Sequence, residues 1–473
     1  MKTTAPLSKV QYGLYVECVA HQGEACYNIP FVHVLDGSLD GERLCRAIET
    51  TVAAHPTLFT RISLNEQGDP VQTIDDTETF ALEVEQTTDI EAEKAAFIQP
   101  YDLYKDRLFR IRLLRDQAHF YFLLDIHHII ADGGSWLVLL ADLEKAYAGE
   151  PIEPEMLTLA DVAKAEAERQ QSAAYEEDKK WYAEHFDCSD CYSPLLPDRE
   201  EEEREEGLLT RVMDVDTTKV DAFCKENGIY KSTFFTAAYG YLLAKFTGEQ
   251  EVLFSTIYNG RTDKRLQHTV AMLVKTLPAY AKYTADTTVL DFLKAGQEQM
   301  TGCREHMAYS YADIMNDLGL QIATTFAWHG ALFNGSQLCG KPMKASLLYN
   351  NTRECPIYVK AFFREGHYCV EAEYSANELS EALVHQYLES YEAVVEGFLR
   401  NDYLRDIEIA TPSQVRLLDS FNQTDEPYDD TQTIVSLFRR QAKDKPHKLA
   451  LVYKDQRYTY QELDELSDRL ACL

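Results

Sequence analysis

HFYFLLDIHHIIADGGSWLVLLADLEKAYAG, residues 119–149, decides the architecture. Its first half is crowded with aromatic and branched apolar residues and reads as a buried strand. Its second half repeats apolar residues near helical spacing, with Ser135 expected as the N-cap and Gly149 as the stop. A strand running through a short polar turn into a helix is a unit of an α/β protein. The turn carries HHIIADG at 127–133. Alternation along a strand sends His127 and His128 to opposite faces, so one can brace the core while the other faces a cleft. Asp132 and Gly133 then make the turn, and Gly133 permits close approach to the backbone.

The same texture extends outward. VHVLDG at 32–37 reads as a strand, and DGERLCRAIETTVAAHP at 40–56 as a helix. Residues 161–186 read as one charged helix. PLLPDREEEEREEG at 194–207 is expected to be a solvated linker. STFFTAAYGYLLAKFTG at 232–248 reads as a helix capped by Ser232. IYVKAFFREGHYCVEAEYS at 357–375 reads as a hairpin turning at Glu365-Gly366, and 381–400 as an amphipathic helix. After a linker-like stretch from about 411, the chain runs helix, strand, helix to residue 473. That tail is too short for an independent domain of this style.

Composition excludes several classes. The 473 residues are 45% hydrophobic, and no apolar run reaches the roughly 20 residues of a membrane span. There are 46 Lys and Arg against 78 Asp and Glu, a formal charge of −32, which opposes binding to nucleic acid or anionic lipid. Eleven irregularly spaced cysteines suit free thiols in a reducing compartment, so a cytoplasmic location is expected. Cys188 and Cys191 form a lone CxxC with no second pair, read as coincidence.

Acyl transfer to an amine needs a group that takes or shares a proton, a positioned nucleophile and a stabilised oxyanion. Histidine suits the first two because its ordinary pKa lies near neutrality. Backbone amides at a helix start suit the third. Taken alone, the histidine pair is also compatible with strand-end histidines satisfied by the core. Zinc is disfavoured: adjacent histidines diverge on a strand, and no third ligand lies at a helical offset.

HHxxxDG after an apolar strand resembles the active-site motif of non-ribosomal peptide synthetase condensation domains and their chloramphenicol-acetyltransferase-like relatives. Further pieces are similar and in the same order: PLSKVQYGLY at 6–15 with Gln11, AHPTLFTRI at 54–62, YNGRTDKRLQHTVAMLVKTLP at 258–278 and EHMAYSYADI at 305–314. Residues 437–471 look like the opening of an adenylation domain. The resemblance implies an α/β fold of two chloramphenicol-acetyltransferase-like lobes, a V-shaped pseudo-dimer with a central tunnel. The lobes are expected at 1–175 and 176–412, with 413–473 a linker and the truncated start of an adenylation domain.

By the same resemblance, His128 and Gly133 are the catalytic positions, while His127, Asp132 and Arg261 are structural at the site, Asp132 pairing with Arg261. Two departures stand out: Lys275 replaces an asparagine, and His55-Pro56 a histidine-glutamate pair. Tyr309, Tyr311 and Trp136 are expected to pack rather than to touch substrate. The implied reaction joins a thioester-held acyl group to the amine of an aminoacyl group on a peptidyl carrier protein. No permanently bound cofactor is expected, only phosphopantetheine-linked substrates. The donor partner is an acyl carrier protein or acyl-CoA, with an adenylation domain in cis, no nucleic acid and no membrane. With the opening motif starting at residue 6, a starter domain N-acylating the first amino acid is the leading expectation. Alternatives are an elongation domain fed in trans and a non-catalytic recruitment scaffold. Epimerisation and heterocyclisation fit less well, the latter because it calls for aspartate at position 127.

Overall fold

The computed structural model describes residues 2–25, 27–188, 190–201, 205–331, 337–338, 340–347 and 355–473. The strand His119–His127 is buried on both faces. Phe120, Phe122, Leu124 and Ile126 join one core, and Tyr121 and Leu123 another. That double burial explains its continuous apolar run: it is the central strand of a five-stranded sheet. Its antiparallel neighbours are Asn28–Asp36 and Phe109–Arg115. Val84–Gln86 closes one edge, and Lys344–Leu347, from far along the chain, closes the other. The helices Gly41–Ala54 and Gly133–Ala148 cover one face, and Ile90–Phe97 packs on the other.

A second, six-stranded sheet runs in the order Lys275–Lys282, Glu251–Tyr258, Thr324–Gly330, Ile357–Arg364, His367–Ser375, Glu206–Val212. Its hairpin turns at Glu365-Gly366, both at positive φ. The helices Lys231–Thr247, Val289–Glu305 and Glu381–Arg400 pack against it in one large core. Residues Val270, Ala271, Leu273, Leu338 and Met343 leave this half and are buried in the core of the first sheet.

Several local expectations are corrected. Asp132, not Ser135, caps the helix Gly133–Ala148, because its side chain reaches the Ser135 amide in a reciprocal capping box. Tyr230, with no side-chain cap bond, precedes the helix Lys231–Thr247, so Ser232 lies inside it. The charged helix is two, Leu159–Arg169 and Ala173–His185. Part of the acidic linker, 202–204, lies outside the described residues, and Glu206 already belongs to a strand.

The chain divides into two compact units, Met1–Thr411 and Pro412–Leu473. The second contains the helices Pro412–Phe421, Ile434–Asp444 and Tyr460–Ala471. Its expected single strand is a hairpin, Leu449–Tyr453 with Gln456–Thr459, turning where Lys454 takes φ 52°. Among the described residues no helix is long and apolar enough to cross a membrane.

Candidate active site

His127 ends the central strand and is 4% exposed; His128 begins the turn and is half-buried. Their imidazoles are held in different ways. His127 Nδ1 accepts the Ile129 amide at 3.1 Å, so its proton sits on Nε2, 3.5 Å from Cys18 Sγ. Burial, with the positive charge of neighbouring groups, lowers its pKa to about 3, so the ring stays neutral. His128 Nδ1 lies 2.9 Å from the Ala131 carbonyl, which can only accept. The Nδ1 proton is thereby fixed, and the lone pair of the neutral ring is left on Nε2. The His128 amide donates to the Tyr27 carbonyl at 2.7 Å.

The turn is braced from below. Gln11, fully buried, donates from Nε2 to the Ile129 carbonyl at 3.0 Å. Asp132 is buried and engaged on both oxygens. Oδ1 accepts the Ser135 amide at 2.8 Å and Arg261 Nη2 at 2.8 Å. Oδ2 accepts Arg261 Nη1 at 2.8 Å and the amides of Leu273 and Val274 at 3.0 and 3.1 Å. Burial pushes the Asp132 carboxyl up, but these bonds, led by Arg261, hold it below the usual carboxylate range. The Arg261 side chain is itself 8% exposed, so this is a buried, bidentate pair.

Gly133 and Gly134 open the helix and differ sharply. A Cβ on Gly133 would meet nothing within 4 Å, whereas one on Gly134 would lie 2.3 Å from Arg261 Nη1. Gly134 is therefore the glycine the ion pair requires, a role sequence reasoning did not assign. Ser135 was also underread: its hydroxyl contacts Asp132, Arg261 and both the amide and carbonyl of Ala271. The reciprocal cap at spacing three was the available signal. A third omission is Asp125, two residues before His127 and fully buried. It is held by Asn28 at 2.7 Å and Arg110 at 3.3 Å, and burial raises its pKa to about 6.

The two departures find local partners. Lys275 Nζ lies 3.2 Å from Glu166 Oε2, tying its strand to the helix Leu159–Arg169. His55 is completely buried between Asp142 at 3.1 Å and Glu155 at 2.8 Å. Burial opposes its protonation, but the two carboxylates raise its pKa. Trp136 is a packing anchor, stacked on Phe31 and His33 at 4.5 and 4.4 Å. Tyr309 is core, its hydroxyl bonded to Asp317; Tyr311 is half-buried at the first turn of the helix Tyr311–Leu318. Cys188 and Cys191 are free thiols, as are Cys45, Cys224, Cys303, Cys369 and Cys472. Among those residues no group of three His, Cys, Asp or Glu side chains is arranged to hold a metal ion.

Comparison with known proteins bears on this geometry. The Condensation domain family matches residues 1–416. The chain is 27% identical over 489 residues to bacitracin synthase 3 of Bacillus licheniformis, covering 98% of this chain and 8% of that protein. It is 26% identical over 491 residues to surfactin synthase subunit 1 of Bacillus subtilis (strain 168), covering 98% and 13%. It thus spans about a tenth of these curated relatives. In fold it matches the starter condensation domain of rhizomide synthetase RzmA, with TM-score 0.72, 18% identity, and coverage of 86% of this chain and all of that one. It also matches the four-domain nonribosomal peptide synthetase AB3403, with TM-score 0.76, 16% identity, and coverage of 99% of this chain and 39% of that one. With a histidine-bearing turn on an α/β scaffold and a family match over residues 1–416, the chain belongs to the condensation domains of non-ribosomal peptide synthetases, a family of amide-forming acyltransferases.

Proposed function

We propose that this chain joins a thioester-held acyl group to the amine of an aminoacyl group on a peptidyl carrier protein, with His128 as its catalytic residue. One observation carries the reading: the Ala131 carbonyl fixes the proton of His128 on Nδ1, leaving Nε2 as a lone pair on a half-buried ring. Nε2 accepts or shares the proton of the incoming amine as the nitrogen attacks the thioester carbonyl. The new C–N bond forms, the C–S bond breaks, and the donor thiolate leaves with a proton. A positioned base is worth roughly 10²–10⁴-fold. The Gly133 and Gly134 amides, at the positive end of the helix, face the developing oxyanion. The open space at Gly133 suits a phosphopantetheine arm passing against the backbone. His127, Asp132 and Arg261 hold the turn.

The site lies in a first lobe of about 1–175, facing a second of about 176–412. Residues 413–473 begin an adenylation domain in cis. The free thiols of Cys45, Cys188, Cys191, Cys224, Cys303, Cys369 and Cys472 support a reducing, cytoplasmic setting. As the finer reading, the donor is a fatty acyl group, as carrier thioester or CoA ester, and the product an N-acylated first amino acid. One reason to begin there is that a RzmA starter domain was solved in complex with C8-CoA.

The test is amide formation followed by intact-protein mass spectrometry, with aminoacyl carrier protein as acceptor. The donors are octanoyl-CoA, an octanoyl carrier protein and a peptidyl carrier protein. Product from octanoyl donors supports the starter reading. Product from the peptidyl carrier alone moves the chain to elongation. No product with any donor, despite carrier binding, leaves a recruitment scaffold.

A further inference from the structure

The segment 269–274 has no regular secondary structure, yet Val270, Ala271 and Leu273 are buried in the same core as the helix Gly133–Ala148. Amides buried outside a ladder need partners from elsewhere. Four of them find side chains that precede the segment by more than a hundred residues. Val270 N donates to Glu155 Oε1 at 2.8 Å and Ala271 N to Ser135 Oγ at 3.0 Å. Leu273 N and Val274 N both donate to Asp132 Oδ2. In return Ser135 Oγ lies 2.9 Å from the Ala271 carbonyl, and Arg261 Nη2 lies 3.3 Å from the Thr269 carbonyl. The segment is a strap, clamped along its length.

The far clamp is itself held by a buried histidine whose pKa the flanking carboxylates raise against the effect of burial. Glu155 Oε1 faces His55 Nδ1 at 2.8 Å while His55 Nε2 faces Asp142 at 3.1 Å. A neutral imidazole carries one N–H, so with both partners ionised each nitrogen donates and the ring carries the charge. The near clamp touches the catalytic turn. Ser135 and the strap together fix both oxygens of Asp132, and Asp132 directly follows Ala131, whose carbonyl orients His128.

We infer that Ser135 and Glu155 are positioning residues for amide formation, acting on His128 through the 269–274 strap and Asp132. The inference rests on the assignment of His128 as the catalytic residue. Neither side chain bonds the histidine; each holds the backbone that sets its orientation. Loosening the strap lets the Ala131 carbonyl shift and the Nδ1 proton lose its fixed acceptor. The population of the working tautomer then falls while carrier docking is untouched. Misplacement of this kind, remote from the reacting atoms, costs up to about 10²-fold in rate.

The experiment compares Ser135→Ala, Ser135→Thr, Glu155→Gln and His128→Ala with the wild type. It reads kcat and KM with the donor that turns over best, melting temperature, and the histidine ¹⁵N spectrum, assigned by the signal missing in His128→Ala. The expected result is a roughly 10- to 100-fold loss of kcat in Ser135→Ala, a smaller loss in Glu155→Gln, unchanged KM for the aminoacyl carrier, and recovery in Ser135→Thr. The His128 signals should move from a single Nδ1–H tautomer to an averaged one in the two impaired variants. Wild-type kcat and an unmoved tautomer in both, with only a lower melting temperature, would overturn the inference. Wild-type turnover in His128→Ala would instead sink the catalytic assignment beneath it. The tautomer reading needs no substrate, and the milder Glu155→Gln decides the matter if Ser135→Ala does not fold.

Discussion

The molecule builds a strand, strand, helix unit twice. In the first half it is Phe109–Arg115, His119–His127 and Gly133–Ala148; in the second it is Ile357–Arg364, His367–Ser375 and Glu381–Arg400. Both pairs of strands are antiparallel and both helices pack on their own sheet. The difference lies in the connection. The first unit ends its strand on two histidines and caps its helix with Asp132, whose carboxylate is also bonded to Arg261 and to amides about 140 residues away. The second ends on Tyr374 and Ser375 and caps its helix with Ser380, whose hydroxyl bonds the Leu383 amide and Asp198. One scaffold thus serves as a plain packing unit in one half and, in the other, ties a histidine-bearing turn to a distant segment. What sets the first unit apart lies at its turn, not in its strands or its helix.

The comparison can be broken most severely at the caps. Arg261→Met strands the buried Asp132 charge and is expected to cost about 3–5 kcal/mol, whereas Ser380→Ala removes an ordinary cap worth about 1 kcal/mol. Urea denaturation of the two variants measures the gap, and equal losses would erase the distinction. Next in size, Gly134→Ala drives a methyl into the Arg261 guanidinium and should cost roughly 1–3 kcal/mol. Gly133→Ala opens into empty space and should leave stability unchanged while lowering turnover. Melting curves and rates taken together separate the two glycines.

The smallest effect concerns acid. His127 and His33 are both buried neutral, burial lowering each pKa to about 3, against about 6.5 in an unfolded chain. Between those values the unfolded chain takes up protons that the folded one refuses, so stability falls as pH drops from about 6.5 toward 3. Both His33 nitrogens are buried without a partner, and the ring stacks on Trp136. His33→Phe should therefore raise stability by about 1 kcal/mol and flatten the slope between pH 7 and 5. A melting temperature that falls as steeply as in the wild type would show that other groups carry the acid response.

Much of this was legible in the sequence because it is local. The apolar run to His127, the hairpin at Glu365-Gly366 and the helix 381–400 follow from periodicity and turn chemistry within twenty residues. The motif likewise pointed to His128, and its glycine-arginine partner stretch to Arg261. Other features were not legible because their partners lie far away in sequence. Nothing in the stretch around Glu155 announces that its carboxylate holds His55 and the amide of Val270. Ser135 was read as a cap because capping is the commonest use of serine before a helix, whereas Asp132, three residues earlier, does that task and frees the serine hydroxyl for the strap. The role of Gly134 requires knowing that a guanidinium lies over it. Lys275, a departure when read as motif, is an ordinary ion pair once Glu166 is beside it.

The central claim is that the lone pair on His128 Nε2 does the work of the turn. Its most direct test is single-turnover amide formation by wild type and His128→Ala, with the donor that turns over best and aminoacyl carrier protein, both proteins matched in melting temperature. A loss of at least about 10²-fold in the variant with carrier affinity retained is the expected result. Undiminished amide formation by His128→Ala would contradict the account.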